Sequence, residues 1–159
     1  MKNIIENFYT AFTNLDAEAM AACYHDDIKF EDPAFGPLKG EKAKNMWRML
    51  CNGQKEKGKI FKVEASGIVS KDDKGKAHWE AWYTFSKTGR KVHNIIDAEF
   101  KFKDGKIIEH TDTFDLYRWS KQALGFKGYL LGWTSFFRKK LNAQTNALLS
   151  DFERREKQD

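Results

Sequence analysis

Apolar residues recur at Ile4, Ile5, Phe8 and Phe12, a stripe of helical period that predicts a helix over residues 3–13. Asn14-Leu15-Asp16 interrupts it. Asp16 is placed to cap a second, short helix through Cys23, with Ala17, Met20, Ala21 and Tyr24 turned inward. His25-Asp26-Asp27 reads as a turn. Residues 28–32 then alternate as a strand does, and Pro33 ends the run, because the residue before a proline is held extended. A loop through Phe35-Gly36-Pro37 to Gly40 leads into a third helix. There Ala43, Met46, Trp47 and Leu50 keep the helical spacing until Asn52-Gly53 stops it.

From residue 59 the period changes from helical to two. Residues 59–70, broken by Gly67, and 76–86 read as strands joined by a turn at Asp72-Asp73-Lys74-Gly75. Thr88-Gly89 turns the chain into the stretch from Lys91 to Tyr117, whose midpoint Asp104-Gly105 is a strong hairpin signal. One face of the first arm carries Asn94, Ile96, Ala98, Phe100 and Phe102; the other carries His93, Ile95, Asp97, Glu99 and Lys101. The second arm sets Ile108, His110, Asp112, Phe114 and Leu116 against Ile107, Glu109, Thr111, Thr113 and Asp115. A face bearing Ile108, Phe114 and Leu116 is expected to be buried. His110 and Asp112 on it must therefore bond each other or serve a ligand. Beyond Tyr117 the pattern returns to helix, breaks at Gly125 to Gly128, and resumes with Leu130, Trp133, Phe137, Leu141, Leu148 and Phe152. That stripe is too apolar for water, so the helix is expected to close the wide end of the sheet or reach a partner subunit.

At 159 residues the chain is expected to form one domain over 1–159, with 129–159 as a helical extension. The net charge of +5 comes from 28 basic and 23 acidic residues, mostly intermixed. The densest basic run, Lys55 to Lys62, contains Glu56 and only one aromatic, Phe61, so a solvated loop explains it better than nucleic acid does. Cys23 and Cys51 lack metal-ligand spacing and read as buried thiols of a cytoplasmic protein. No apolar run approaches a membrane span, and the polar start of the chain is no secretory signal. No nucleic acid, membrane, metal or cofactor is expected.

The order helix, short helix, strand ending in Asp-Pro, helix, curved antiparallel sheet resembles the nuclear-transport-factor-2-like superfamily, in its SnoaL-like polyketide cyclase and ketosteroid isomerase-like branch. The resemblance covers about residues 1–117. It rests on Phe8-Tyr9-Thr10-Ala11-Phe12 with Asp16, on the run from Asp26 to Pro33, on Leu38-Lys39-Gly40, and on Asp104 through Asp112. It implies an α+β fold: a cone-shaped, curved antiparallel β-sheet wrapped around N-terminal helices, here with an added C-terminal helix. It also implies roles for individual residues. Asp32 falls where ketosteroid isomerases keep their proton-shuttling carboxylate. Asp112 falls where epoxide hydrolases keep one catalytic aspartate, and near the acid/base aspartate of the cyclases. Phe8 and Ala98, however, stand where the isomerases have an oxyanion-holding tyrosine and a protonated aspartic acid, which argues against steroid-type isomerisation. Trp79 and Ala81 fall near the hydrolases' Arg and Asp, which argues against epoxide opening by that charged set.

Strand alternation places His110 beside Asp112, and with Asp32, whose role the resemblance implies, they are the candidate catalytic groups. Trp79, Tyr83, Asn94, Phe100, Trp47, Phe8 and Phe30 line a candidate ligand site around them. A carboxylate poised there can remove a proton next to a carbonyl or activate water. The expected function is cofactor-independent acid/base chemistry of the cyclase or isomerase type on a hydrophobic carbonyl compound. The alternative is a non-catalytic protein that holds an apolar ligand in the same cavity. His110 as a hydrogen-bonded core residue, and Asp32 as a turn residue, are the plainer readings of those two positions. Trp82 and Ile95 emerge on the convex face, where large apolar groups predict a homodimer through the sheet.

Overall fold

The computed structural model describes residues 2–55 and 60–158. Its elements are α1 (Lys2–Thr13), α2 (Ala17–Cys23), β1 (Tyr24–Asp32), β2 (Gly36–Lys39), α3 (Glu41–Gln54) and β3 (Phe61–Lys71). There follow β4 (Lys74–Thr84), β5 (Lys91–Lys103), β6 (Lys106–Thr113), α4 (Leu116–Leu124), α5 (Phe126–Leu131) and α6 (Ser135–Glu156). The strands form one curved, unclosed sheet in the order β2-β1-β6-β5-β4-β3. Asp16 caps α2 as expected, its Oδ1 accepting from Ala19 N–H at 3.0 Å. Asp104 and Gly105 both take positive φ at the β5–β6 turn. Residues 56–59 of the lysine-rich run lie outside the described residues.

Four features differ from the sequence expectation of five antiparallel strands. A sixth strand, β2, pairs with β1 through residues expected to be loop; Pro37 is tolerated there because β2 is an edge strand. β1 runs parallel to β6. The two are separated by α3 and by β3 to β5, so no tight turn dictates their relative direction. His25-Asp26-Asp27, expected as a turn, is an irregular stretch inside β1, where His25 Nδ1 accepts from Asp27 N–H at 3.1 Å. A second irregularity, between Lys101↔Glu109 and Phe102↔Ile107, leaves Ile108 as the extra residue of β6. It buries Ile107 rather than Ile108 and restores the expected alternation from Glu109 onward.

α1 packs onto the concave face with Ile5, Phe8, Tyr9 and Phe12. Each fully buried aromatic or aliphatic side chain here contributes about 1.5–3 kcal/mol. Cys23 and Cys51 are buried free thiols, each pushed up in pKa by burial. Before Asp97, residues 91–96 of β5 have no strand on the β6 side, and α4 fills the gap. Gln122 accepts from His93 N–H at 2.8 Å and donates to the His93 carbonyl at 3.0 Å, acting as a one-residue strand.

The C-terminal region also departs from its expected stripe. The last helix starts at Ser135, capped by Thr134, whose Oγ1 accepts from Phe137 N–H at 3.1 Å. Leu130, Trp133 and Leu148 are exposed; Phe152 enters the core as expected, and Leu149 does so in place of Leu148. Polar contacts fix α6 over the β1–β2 turn. Asn142 donates to the Pro33 and Ala34 carbonyls, Thr145 to Ala34, and Asn146 to Phe35. Among the described residues no helix is long and apolar enough to cross a membrane.

Candidate functional site

Neighbouring strands bring His110 and Asp112 to the concave face of β6, beside Phe100 and Ala98 of β5 and Phe30 of β1. Both side chains are withdrawn from water, His110 fully so. They form one continuous hydrogen-bonded chain. Trp47 Nε1–H donates to Tyr24 Oη at 2.9 Å, and Tyr24 Oη lies 2.7 Å from His110 Nδ1. His110 Nε2 lies 3.0 Å from Asp112 Oδ1, which also accepts from Trp79 Nε1–H at 3.2 Å. Indole N–H groups only donate, and Tyr24 has one proton to give. One tautomer satisfies every contact: Tyr24 donates to Nδ1, and the imidazole, carrying its proton on Nε2, donates to Asp112 Oδ1. Protonating Nδ1 would turn the Tyr24 hydroxyl proton away from its only acceptor here.

Five aromatic rings enclose the imidazole. Phe100 lies 4.4 Å from it, Phe30 5.3 Å, Phe8 5.4 Å, Tyr24 6.0 Å and Trp47 6.2 Å, measured between centroids. Phe8, Phe30, Trp47 and Phe100 are thus packed around His110 and almost fully buried. His110 has both nitrogens engaged, so it orients Asp112 and is itself out of reach. Asp112 Oδ2, by contrast, accepts no hydrogen bond from the described residues.

Asp32 continues the inner face of β1 one position beyond the Glu31↔Thr111 pair, next to Asp112 across the parallel strands. Its Oδ1 accepts from Ala34 N–H at 2.9 Å and Phe35 N–H at 2.6 Å, an Asx turn imposed by the Asp-Pro sequence. Asp32 is half-buried. Burial is the largest influence on its carboxyl, followed by the opposing Phe35 N–H and then by repulsion from Asp112, and together they raise its pKa to about 7. Tyr83 stands close enough for Asp32 to act on it, and its hydroxyl accepts from Trp119 Nε1–H at 2.7 Å; burial drives its pKa up to about 12. Asn94, half-buried, shares this rim with Tyr83, two residues along from its partner Ala81.

Tyr9 is the member that sequence analysis missed. Its hydroxyl is buried and has no hydrogen-bond partner among the described residues. Burial first, then the charge of Asp112, pushes its pKa up, so the phenol is neutral and lies near that carboxylate. Its ring packs 5.8 Å from Trp79 and 6.4 Å from Phe100. The signal was present, since Tyr9 follows Ile5 by four residues on the buried stripe of α1. Tyr24 was visible as an inward residue, but its pairing with His110, 86 positions away, has no local signature.

Two surface depressions lie elsewhere. One of about 390 Å³ is lined by residues from Asn14 to Glu18 with Arg48 and Phe152, and one of about 530 Å³ by Phe114 to Tyr117 with Gly132 to Ser135 and Arg138.

The model of the SnoaL-like domain matches residues 5–110. No curated protein matches the chain. Among solved structures, an LEH-like epoxide hydrolase of M. tuberculosis is 22% identical, with 82% of this chain and 89% of that one covered at a TM-score of 0.60. A Xanthomonas campestris protein described as a polyketide cyclase is 20% identical, covering 76% and 94% at 0.61. TerC, co-crystallised with polyporic acid, is 16% identical, covering 77% and 96% at 0.63. At such identities these likenesses show a common fold.

Proposed function

From the premise that this chain belongs to the SnoaL-like domain family, we propose a cofactor-independent enzyme that moves a proton on a hydrophobic, cyclic carbonyl compound. The observation that carries this reading is a buried carboxylate with one oxygen fixed and the other unbonded, beside an orphaned phenol. Asp112 is the base. His110 and Trp79 hold Oδ1, which leaves Oδ2 to take a proton from the carbon next to the substrate carbonyl. As the C–H pair moves into the enolate, negative charge grows on the carbonyl oxygen and needs donors. Tyr9 Oη–H is one; Asp32, with a pKa near neutrality, is the other when protonated. These two replace the donors missing at Phe8 and Ala98. Reprotonation at another carbon, or carbon–carbon bond formation from the enolate, distinguishes isomerase from cyclase chemistry. Trp79, Tyr83 and Asn94 make the substrate-facing wall. His110 is a positioning residue, with Phe8, Phe30, Trp47 and Phe100 enclosing its ring.

Tyr9→Phe separates this role from packing. A buried hydroxyl without a partner costs about 1–3 kcal/mol, so its removal leaves thermal stability equal or higher. Loss of one oxyanion donor lowers turnover by about two to three orders of magnitude. A destabilised variant with unchanged turnover reduces Tyr9 to core.

The second reading is a non-catalytic protein binding an apolar ligand, and the close aromatic packing around His110 favours it. Turnover decides between the two. In either case we propose a single domain that pairs through its convex face, where Trp82 stacks on His93 at 4.5 Å. Light scattering reads the dimer mass directly.

A further inference from the structure

α5 is packed inside out. Its only buried residue is Gly128. A Cβ there would lie 1.9 Å from the Ser120 carbonyl oxygen, and one at Gly132 would lie 1.8 Å from Ser120 Oγ, so two glycines press this segment onto α4. The Ser120 hydroxyl reaches the Gly128 carbonyl at 3.2 Å and the Tyr117 hydroxyl reaches the Tyr129 carbonyl at 3.0 Å, locking the contact. With its small residues inward, the large ones face out: Phe126 is 75% exposed, Trp133 71%, Phe136 68% and Tyr129 59%, with Leu130 and Leu131 half open. An ordinary amphipathic helix does the reverse. Six exposed apolar side chains within the eleven positions from Phe126 to Phe136 exceed the scattered exposure normal for a folded domain.

The charge on the same segment is as one-sided. Residues 116–150 contain Arg118, Lys121, Lys127, Arg138, Lys139 and Lys140 and no Asp or Glu. The whole chain carries +5, so these six cations leave the remainder at −1 (5 − 6). Among the described residues none of the six pairs with a carboxylate. A second copy seated here would set cations against cations. Nucleic acid would answer the charge but leave Leu130, Leu131 and Phe136 in water. A surface that is anionic outside and apolar beneath answers both. We infer that α5 and the start of α6 dock on an anionic lipid bilayer, with Phe126, Leu130, Trp133 and Phe136 entering the acyl boundary. Lys127, Arg138, Lys139 and Lys140 meet the headgroups. The depression lined by Trp133 and Arg138 would then face the lipid, and an apolar substrate could reach the enzyme from the membrane.

Vesicle co-sedimentation of the full chain tests this. Binding is expected to phosphatidylcholine vesicles containing phosphatidylglycerol, to weaken steeply with salt, and to be at least about tenfold weaker to phosphatidylcholine alone. Lys139→Glu with Lys140→Glu should lower the partition by at least about tenfold. Trp133→Ser with Phe136→Ser should do the same without lowering thermal stability, since both side chains are exposed. The inference is overturned by no binding to anionic vesicles, or by equal binding to both kinds. It also falls if the Ser pair turns a dimer into a monomer while vesicle binding is unchanged. Random-sequence duplex DNA bound more tightly than vesicles, and lost with the same Lys pair, overturns it as well.

Discussion

Asp112→Asn should lower turnover by about two to four orders of magnitude and leave ligand affinity nearly unchanged. Asparagine keeps the shape of the residue and keeps Oδ1, so His110 Nε2–H and Trp79 Nε1–H still have their acceptor. What changes is the second position, where an amide N–H₂ replaces the basic Oδ2. The fold has no reason to move, and the base is gone. Alanine is a poorer test, because it orphans both His110 and the Trp79 indole at a buried site and confuses stability with chemistry. The comparison is made by steady-state kinetics and ligand titration on the same preparation.

The second large effect belongs to Asp32 and appears against pH. Its folded pKa of about 7 lies far above the unfolded value of about 3.9. Between those values the folded chain binds the extra proton, so this group's contribution makes stability fall as pH rises from about 4 through 7, and it levels off beyond. Asp32→Asn removes that cost. Its Oδ1 still accepts from Ala34 and Phe35, so the turn survives. The variant should melt higher than the natural chain at pH 8, by up to about 10 °C, and equally at pH 4. Turnover carries the same signature. If protonated Asp32 donates to the substrate oxygen, activity falls roughly tenfold per unit above pH 7, and the variant, which donates through its amide, loses that limb. A pH–rate profile and a melting series read the two consequences independently.

Much of the architecture was legible because its signals are local. Helical stripes in the first 55 residues and the Asp-Gly turn at 104–105 follow from the nearest few residues of chain. Period-two alternation was enough to bring His110 and Asp112 to one face. What was not legible depends on register and depth. The irregularity at Ile108 is a single extra residue that alternation alone does not reveal. β2 is short, contains Pro37 and exists only because β1 offers an edge. The hydrogen-bonded chain joins Trp47, Tyr24, His110, Asp112 and Trp79 from four different elements. No spacing announces it. The stripe through Leu130 and Trp133 misled for a physical reason: apolar content was equated with burial, whereas Gly128 and Gly132 decide which side of the segment can approach α4.

The central claim is that Asp112 removes a proton from carbon. It is tested most directly by hydrogen exchange, which needs no natural substrate. α-Tetralone and related cyclic ketones are incubated in deuterium oxide at neutral pH, and the signals of the protons next to the carbonyl are followed by NMR. The account predicts that the natural chain speeds their loss well above the buffer rate, and that Asp112→Asn returns it to that rate. Micromolar binding of such ketones with exchange no faster than in buffer would contradict it and leave a binding protein in its place.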